Sequence, residues 1–173
     1  MHICKKSKFV FLANPKTGTR SILSHLRSEH DIRGVGRDHS WSIPAKYKKW
    51  SSFSVVRNPY TRMASIYWVA FNNHKFRGKT FKYYLNHSYR PQGRYRNVDA
   101  VVRFENMDEE LKSLPFWPKG ELPHHNDSGL KEITIRGERW KKPPPWEEML
   151  TPEIKHIIYS QYQNDFELFG YEK

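Results

Sequence analysis

The sequence predicts an α/β fold: a mostly parallel central sheet with helices on its faces. Two observations carry this. Short runs rich in β-branched and aromatic residues, at 8–14, 53–57 and 98–104, alternate with segments whose apolar residues recur every three or four positions. Strands alternating with helices in this way build parallel sheets. The first two runs also pass through a short loop straight into a helical segment, so a strand–turn–helix unit occurs twice. Ligands of such sheets bind beyond the carboxyl ends of the strands, where both loops fall.

The elements follow in order. Residues 8–14, apolar from Phe9 to Ala13, stop at Pro15, which reads as a short buried strand. From Thr19, the positions Ile22, Leu23 and Leu26 give helical spacing to about His30. Residues 31–51 carry Gly34, Gly36, Pro44 and scattered charges, hence a loop with a short helix near Ala45. The second strand, 53–57, meets Asn58-Pro59; proline suits a first helical turn, where its missing N–H is not needed. Tyr60, Met63, Ala64, Tyr67, Trp68 and Phe71 then share one helical face. Residues 79–88 read as a helix, 89–97 as a basic loop, 98–104 as the third strand, and 106–114 as an acidic helix. Most of the prolines lie in 115–150, which reads as irregular surface structure. The last helix has Thr151 as N-cap, Pro152 at its first position and Glu153 near the positive end of its dipole. Ile154, Ile157, Ile158 and Tyr162 form its apolar stripe, and Gly170 follows its end.

A chain of 173 residues points to a single domain, 1–173. Aromatic residues make up 15%, which argues against intrinsic disorder despite a mean hydropathy of −0.87. The formal net charge is +12, so an anionic partner is expected: a nucleic acid, an acidic polymer, a membrane surface or a phosphorylated small molecule. The one cysteine, Cys4, supports neither an internal disulfide nor a cysteine-based zinc site. No apolar run approaches the ~18 residues of a membrane span, and the basic lead before Phe9 makes a poor signal peptide. A soluble protein of a reducing, cytoplasmic setting, bacterial or viral, is the expectation.

Two loops carry the chemistry. In Pro15-Lys16-Thr17-Gly18-Thr19-Arg20-Ser21, unpaired N–H groups at a helix start bind phosphate-like oxyanions. Gly18 permits close approach or a positive φ. Thr17, Thr19 and Ser21 add hydroxyls, and Lys16 a mobile charge. A nucleotide P-loop places its lysine after the second glycine, whereas Lys16 precedes the only glycine here. A capped helix start with Thr19 as N-cap is the purely structural alternative. In the second loop, Arg57 at a strand end can hold a phosphate through two N–H groups, with Ser65 completing the contact. The plainer alternatives are a surface salt bridge for Arg57 and solvated positions for Arg62 and Ser65.

Together these segments resemble the sulfotransferases that use 3′-phosphoadenosine 5′-phosphosulfate (PAPS). Residues 15–21 are similar to that family's 5′-phosphosulfate loop. Arg57-Asn58-Pro59-Tyr60-Thr61-Arg62-Met63-Ala64-Ser65-Ile66-Tyr67 keeps the Arg-x-Pro-x-x-Arg-x-x-Ser-x-Tyr spacing of its 3′-phosphate segment. Val102-Arg103-Phe104-Glu105-Asn106 and the ending 165–171 resemble the carbohydrate O-sulfotransferase branch. The resemblance implies a P-loop-like three-layer sandwich and in-line transfer of a sulfuryl group to a hydroxyl, or an amine, of a carbohydrate or small-molecule acceptor. PAPS is then the cofactor and adenosine 3′,5′-bisphosphate the product, with no metal required.

Carried over by position, Lys16 stabilises the leaving phosphate oxygen. Thr17, Gly18, Thr19, Arg20 and Ser21 hold the 5′-phosphosulfate, while Arg57 and Ser65 hold the 3′-phosphate. His39 is the general-base candidate, since an imidazole ordinarily titrates near neutrality; Asp38 is the fallback, and Glu105 either orients groups in the cleft or compensates a helix start. Arg136, in Arg136-Gly137-Glu138-Arg139-Trp140, falls where the family closes over the adenosine but lacks the family's usual lysine. His124-His125-Asn126-Asp127-Ser128 resembles a cleft-lining loop of the carbohydrate branch. The basic stretch 90–96, with Tyr89 and Tyr95 interleaved, is a candidate surface for an acidic saccharide. Competing classes are a basic nucleic-acid-binding module and a nucleotide kinase.

Overall fold

A computed structural model describes residues 1–36, 39–71, 76, 79–123, 132–135, 138–141 and 145–173. Contacts divide the chain into two compact units, one of Met1–Arg57 with Gln92–His125 and one of Asn58–Pro91 with Asn126–Lys173.

The first unit holds a five-stranded mixed sheet. Its strands are β1 (His2–Cys4), β2 (Phe9–Leu12), β3 (Ile32–Gly34), β4 (Ser51–Val56) and β5 (Ala100–Arg103), in the spatial order β3-β1-β2-β4-β5. The three strands expected from sequence, β2, β4 and β5, form its parallel part, with Phe11 beside Phe53 and Val55 beside Val102. The short β1 and β3 extend it antiparallel, His2 lying opposite both Phe11 and Gly34. The chain is therefore α/β, with a sheet whose centre is parallel.

Every residue of β2 is buried, which explains its unbroken apolar run. Phe9 and Phe11 pack with Ile22, Leu26, Phe53, Val55, Val102 and Leu111. Val10 and Leu12, alternating with them, pack with Ile3, Tyr47 and Tyr95. The first cluster includes a stacked pair, Phe11 on Phe53 at 4.6 Å between centroids. Helix α1 (Thr19–Leu26) supplies Ile22, Leu23 and Leu26 to it. That helix ends four residues before His30; past Leu26 the backbone tightens to i→i+3 bonds, the Ser28 N–H donating to the His25 carbonyl (3.1 Å) and the Glu29 N–H to the Leu26 carbonyl (3.4 Å). The acidic segment is a 3-10 turn (Phe104–Asn106), one short helix α4 (Met107–Glu110) and a second 3-10 turn (Leu111–Ser113) rather than one helix.

The second unit is mainly helical. It comprises α2 (Pro59–Phe71), α3 (Phe81–His87), a hairpin of β6 (Glu132–Ile135) and β7 (Glu138–Lys141), α5 (Trp146–Met149) and α6 (Pro152–Phe169). The hairpin and α5 correct the expectation of irregular structure across 115–150; ladder pairing overrides the local proline signal there. Helix α2 buries Met63, Ala64 and Ile66 among Tyr84, Leu85, Ile154, Ile158 and Phe166. The Thr151 side chain caps α6 by accepting from the Ile154 N–H (3.4 Å), and Gly170 ends that helix at φ 64°. Arg62 is only 1% exposed and donates through Nη1 to the Arg90 carbonyl at 2.7 Å. It is a buried structural cation, not a solvated one. Burial pushes the nearby Tyr162 hydroxyl up to about 12. That side chain accepts from the Arg90 N–H (3.0 Å).

Candidate functional site

The parallel pairing of β2 with β4 sets the carboxyl ends of these two strands side by side. From β2 the chain enters the loop 13–18; β4 ends at Val56, and Arg57 follows it. Asn14 is fully buried and fixes the loop's root, its Nδ2 donating to the Val55 carbonyl (3.1 Å) and to Gln92 Oε1 (3.0 Å). The Thr17 hydroxyl donates back to the Asn14 carbonyl (2.8 Å) and that of Thr19 reaches the same atom at 3.4 Å. The Thr17 side chain is thereby committed to the loop's own shape.

Two residues of this loop hold left-handed backbone, Lys16 at φ 66° and Gly18 at φ 76°. For lysine such a conformation is strained, and strain of this kind concentrates at ligand sites. Gly18, not Thr19, is the N-cap of α1, and no side chain caps that end. A Cβ on Gly18 would sit 3.1 Å from Met107 Sδ and 3.4 Å from Phe104 Cε2, in addition to the backbone strain. Gly18→Ala is therefore expected to destabilise the protein by about 1–2 kcal/mol, read as a lower urea midpoint with unchanged slope.

Three cations gather here. The Arg57 guanidinium lies 4.4 Å over the Phe104 ring and reaches the Lys16 carbonyl through Nη1 at 3.4 Å. Lys16 is half-buried, and its ammonium is held below the ordinary lysine range first by desolvation, then by the positive charges of Arg57 and Arg20. The chemistry of such a set is that of an oxyanion receptor.

His39 also belongs to this region. It stands at φ 60°, and its Nδ1 is 2.8 Å from the carbonyl of Ala13, at the root of the loop. A carbonyl only accepts, so Nδ1 carries the proton, and in the neutral ring Nε2 keeps the lone pair. That is the tautomer of a general base. The Tyr95 hydroxyl, on a buried side chain, donates to the His39 carbonyl at 3.0 Å.

Gln92 is the residue that sequence reasoning missed. It is fully buried, and its amide pairs with both backbone groups of Arg57: the Arg57 N–H donates to Oε1 (2.9 Å), and Nε2 donates to the Arg57 carbonyl (2.7 Å). With Asn14 on the same Oε1, one side chain joins the roots of both loops. Nothing in the polar stretch 89–97 signals this burial. Gln92→Ala leaves buried backbone groups unsatisfied at about 1–3 kcal/mol each, so a marked fall in melting temperature is expected, together with weaker anion binding.

The structure thus gathers Lys16, Thr17, Gly18, Thr19, Arg20, Ser21, His39 and Arg57 within one unit. Ser65 lies half-buried on α2 in the other unit. Glu105 is exposed on the 3-10 turn before α4. Asp38, Arg136 and the segment 124–128 lie outside the described residues. Of the interleaved tyrosines, Tyr95 is buried and unavailable for stacking, while Tyr89 is exposed beside Tyr162 in the second unit. Among the described residues no helix is long and apolar enough to cross a membrane, and no group of three His, Cys, Asp or Glu side chains is placed to hold a metal ion. No protein-family model, curated protein or solved structure matches the chain.

Proposed function

We propose that this protein is a sulfotransferase of P-loop-like three-layer architecture that takes its sulfuryl group from PAPS. The observation that carries the reading is the gathering of Lys16, Arg20 and Arg57 around a left-handed strand-to-helix loop, with a base-tautomer imidazole hydrogen-bonded to the root of that loop. The donor set fits a molecule bearing a phosphosulfate and a separate phosphate. The loop from Lys16 to Ser21 and the first turn of α1 would hold the 5′-phosphosulfate, and Arg57 would hold the 3′-phosphate that distinguishes this cofactor from ATP.

When bound, PAPS supplies an activated sulfuryl group. The protein's own residues align and neutralise, as enzymes of phosphoryl transfer do. His39 Nε2 would take up the proton of the acceptor hydroxyl, and Lys16 would balance negative charge on the phosphate side of the bound group. Positions fixed by Gln92, Asn14 and Tyr95 hold both groups still between turnovers.

The test is transfer of label from 35S-PAPS to 2-naphthol and to a glucuronate-containing tetrasaccharide. Wild type is expected to label at least one of them. His39→Asn is expected to lower that rate by about 10²–10⁴-fold while keeping its affinity for adenosine 3′,5′-bisphosphate. Absence of labelled product with both acceptors contradicts the transferase reading.

A further inference from the structure

The turn Gly93–Tyr95, with Gln92 before it, touches three functional points in succession. Gln92 clamps Arg57, Tyr95 holds the His39 carbonyl, and between them Arg94 projects outward and stacks on Trp41, its guanidinium 4.5 Å from the ring centroid. Trp41 is 53% exposed, and Arg94 is exposed as well. A tryptophan kept half in solvent needs no explanation by itself. One covered by a guanidinium, two residues from the base, is a different matter. Two residues of chain span at most about 7 Å, so the backbone of Trp41 lies close to that of His39.

We propose that Trp41 and Arg94 form an acceptor subsite for an anionic saccharide, a pyranose unit that carries a carboxylate or sulfate of its own. This rests on the sulfotransferase reading for its meaning as an acceptor site, though not for binding itself. The indole offers a broad apolar surface against which the C–H face of a sugar packs. A guanidinium stacked on an aromatic ring keeps its planar N–H edge for two parallel bonds to a carboxylate or sulfate. Neither feature alone selects such a ligand; joined as one cation–ring pair, they require an apolar ring face and an anion in the same molecule. The formal charge of +12 favours the same partner through long-range attraction. The subsite replaces Tyr95 as the stacking ring, since the hydroxyl of that buried tyrosine is engaged with His39.

The experiment is calorimetric titration of the full chain, at about 0.15 M salt, with a tetrasaccharide of alternating glucuronate and N-acetylglucosamine, with its carboxyl-reduced form, and separately with adenosine 3′,5′-bisphosphate. Wild type is expected to bind the carboxylated form about tenfold or more tighter than the reduced one. Arg94→Gln should erase that preference and Arg94→Lys restore only part of it, since an ammonium lacks the planar fork. Trp41→Ala should weaken both saccharides, and every variant should keep its bisphosphate affinity within about twofold, which also reports that the fold is intact. Equal binding of the two saccharides by wild type, binding of neither, or variants that bind as wild type does would each overturn the subsite. A wild type that binds saccharide through Trp41 and Arg94 but not the bisphosphate would leave the subsite standing and remove the sulfotransferase reading.

Discussion

Lys16→Ala is expected to slow sulfuryl transfer by about 10²–10³-fold, the usual loss when one preorganised donor to developing negative charge is removed. The effect should fall on kcat more than on cofactor affinity, because the charge that Lys16 meets is greater in the transition state than in the bound ground state. The same residue sets a pH dependence. Desolvation and the charges of Arg57 and Arg20 hold its ammonium below the ordinary lysine value of 10.5. Only the protonated form attracts an anion, so bisphosphate affinity is full at pH below the lowered pKa and falls as pH rises through it. Bound anion favours the ammonium, so binding at that pH takes up a proton. Titrations from neutral to alkaline pH should therefore lose affinity before a free lysine would titrate, and Lys16→Arg should flatten that loss.

Arg57→Ala is expected to weaken adenosine 3′,5′-bisphosphate by about 10–10²-fold, the range for a charge-assisted hydrogen-bonded contact. The 5′-monophosphate, which lacks the second anionic group, should lose much less. The change also strips the cation from the Phe104 ring and relieves Lys16 of a neighbouring positive charge. A variant that weakened both nucleotides equally would place Arg57 in the general field of the loop rather than on the 3′-phosphate.

Strand β2 was legible because burial on both sheet faces demands an unbroken apolar run, and Asn14-Pro15 ends it; β4 and β5 were legible from their β-branched and aromatic residues, Phe53, Val55, Val56, Val101 and Val102. Strands β1 and β3 were not, since three residues such as Ile32-Arg33-Gly34 carry no period and owe their pairing to the neighbouring strand. The hairpin β6–β7 had a signal, the alternation of Glu132-Ile133-Thr134-Ile135, that the surrounding prolines masked. At the site, Lys16, Gly18 and Arg57 could be read because each lies where a strand's carboxyl end runs into a helix start. Gln92 and Trp41 could not. A buried amide and an exposed indole reverse the usual sense of polarity, and only the tertiary pairing of 92–95 with 39–57 gives them a purpose.

A pocket that recognises two separated anionic groups on one adenosine is tested by calorimetric titration with adenosine 3′,5′-bisphosphate, beside 5′-AMP and ATP, at moderate salt and without magnesium. Tight binding of the bisphosphate, largely lost with 5′-AMP and not recovered with ATP, is the expected result. Equal weak binding of all three would contradict it, reducing the loops of Lys16 and Arg57 to general anion sites on a basic protein.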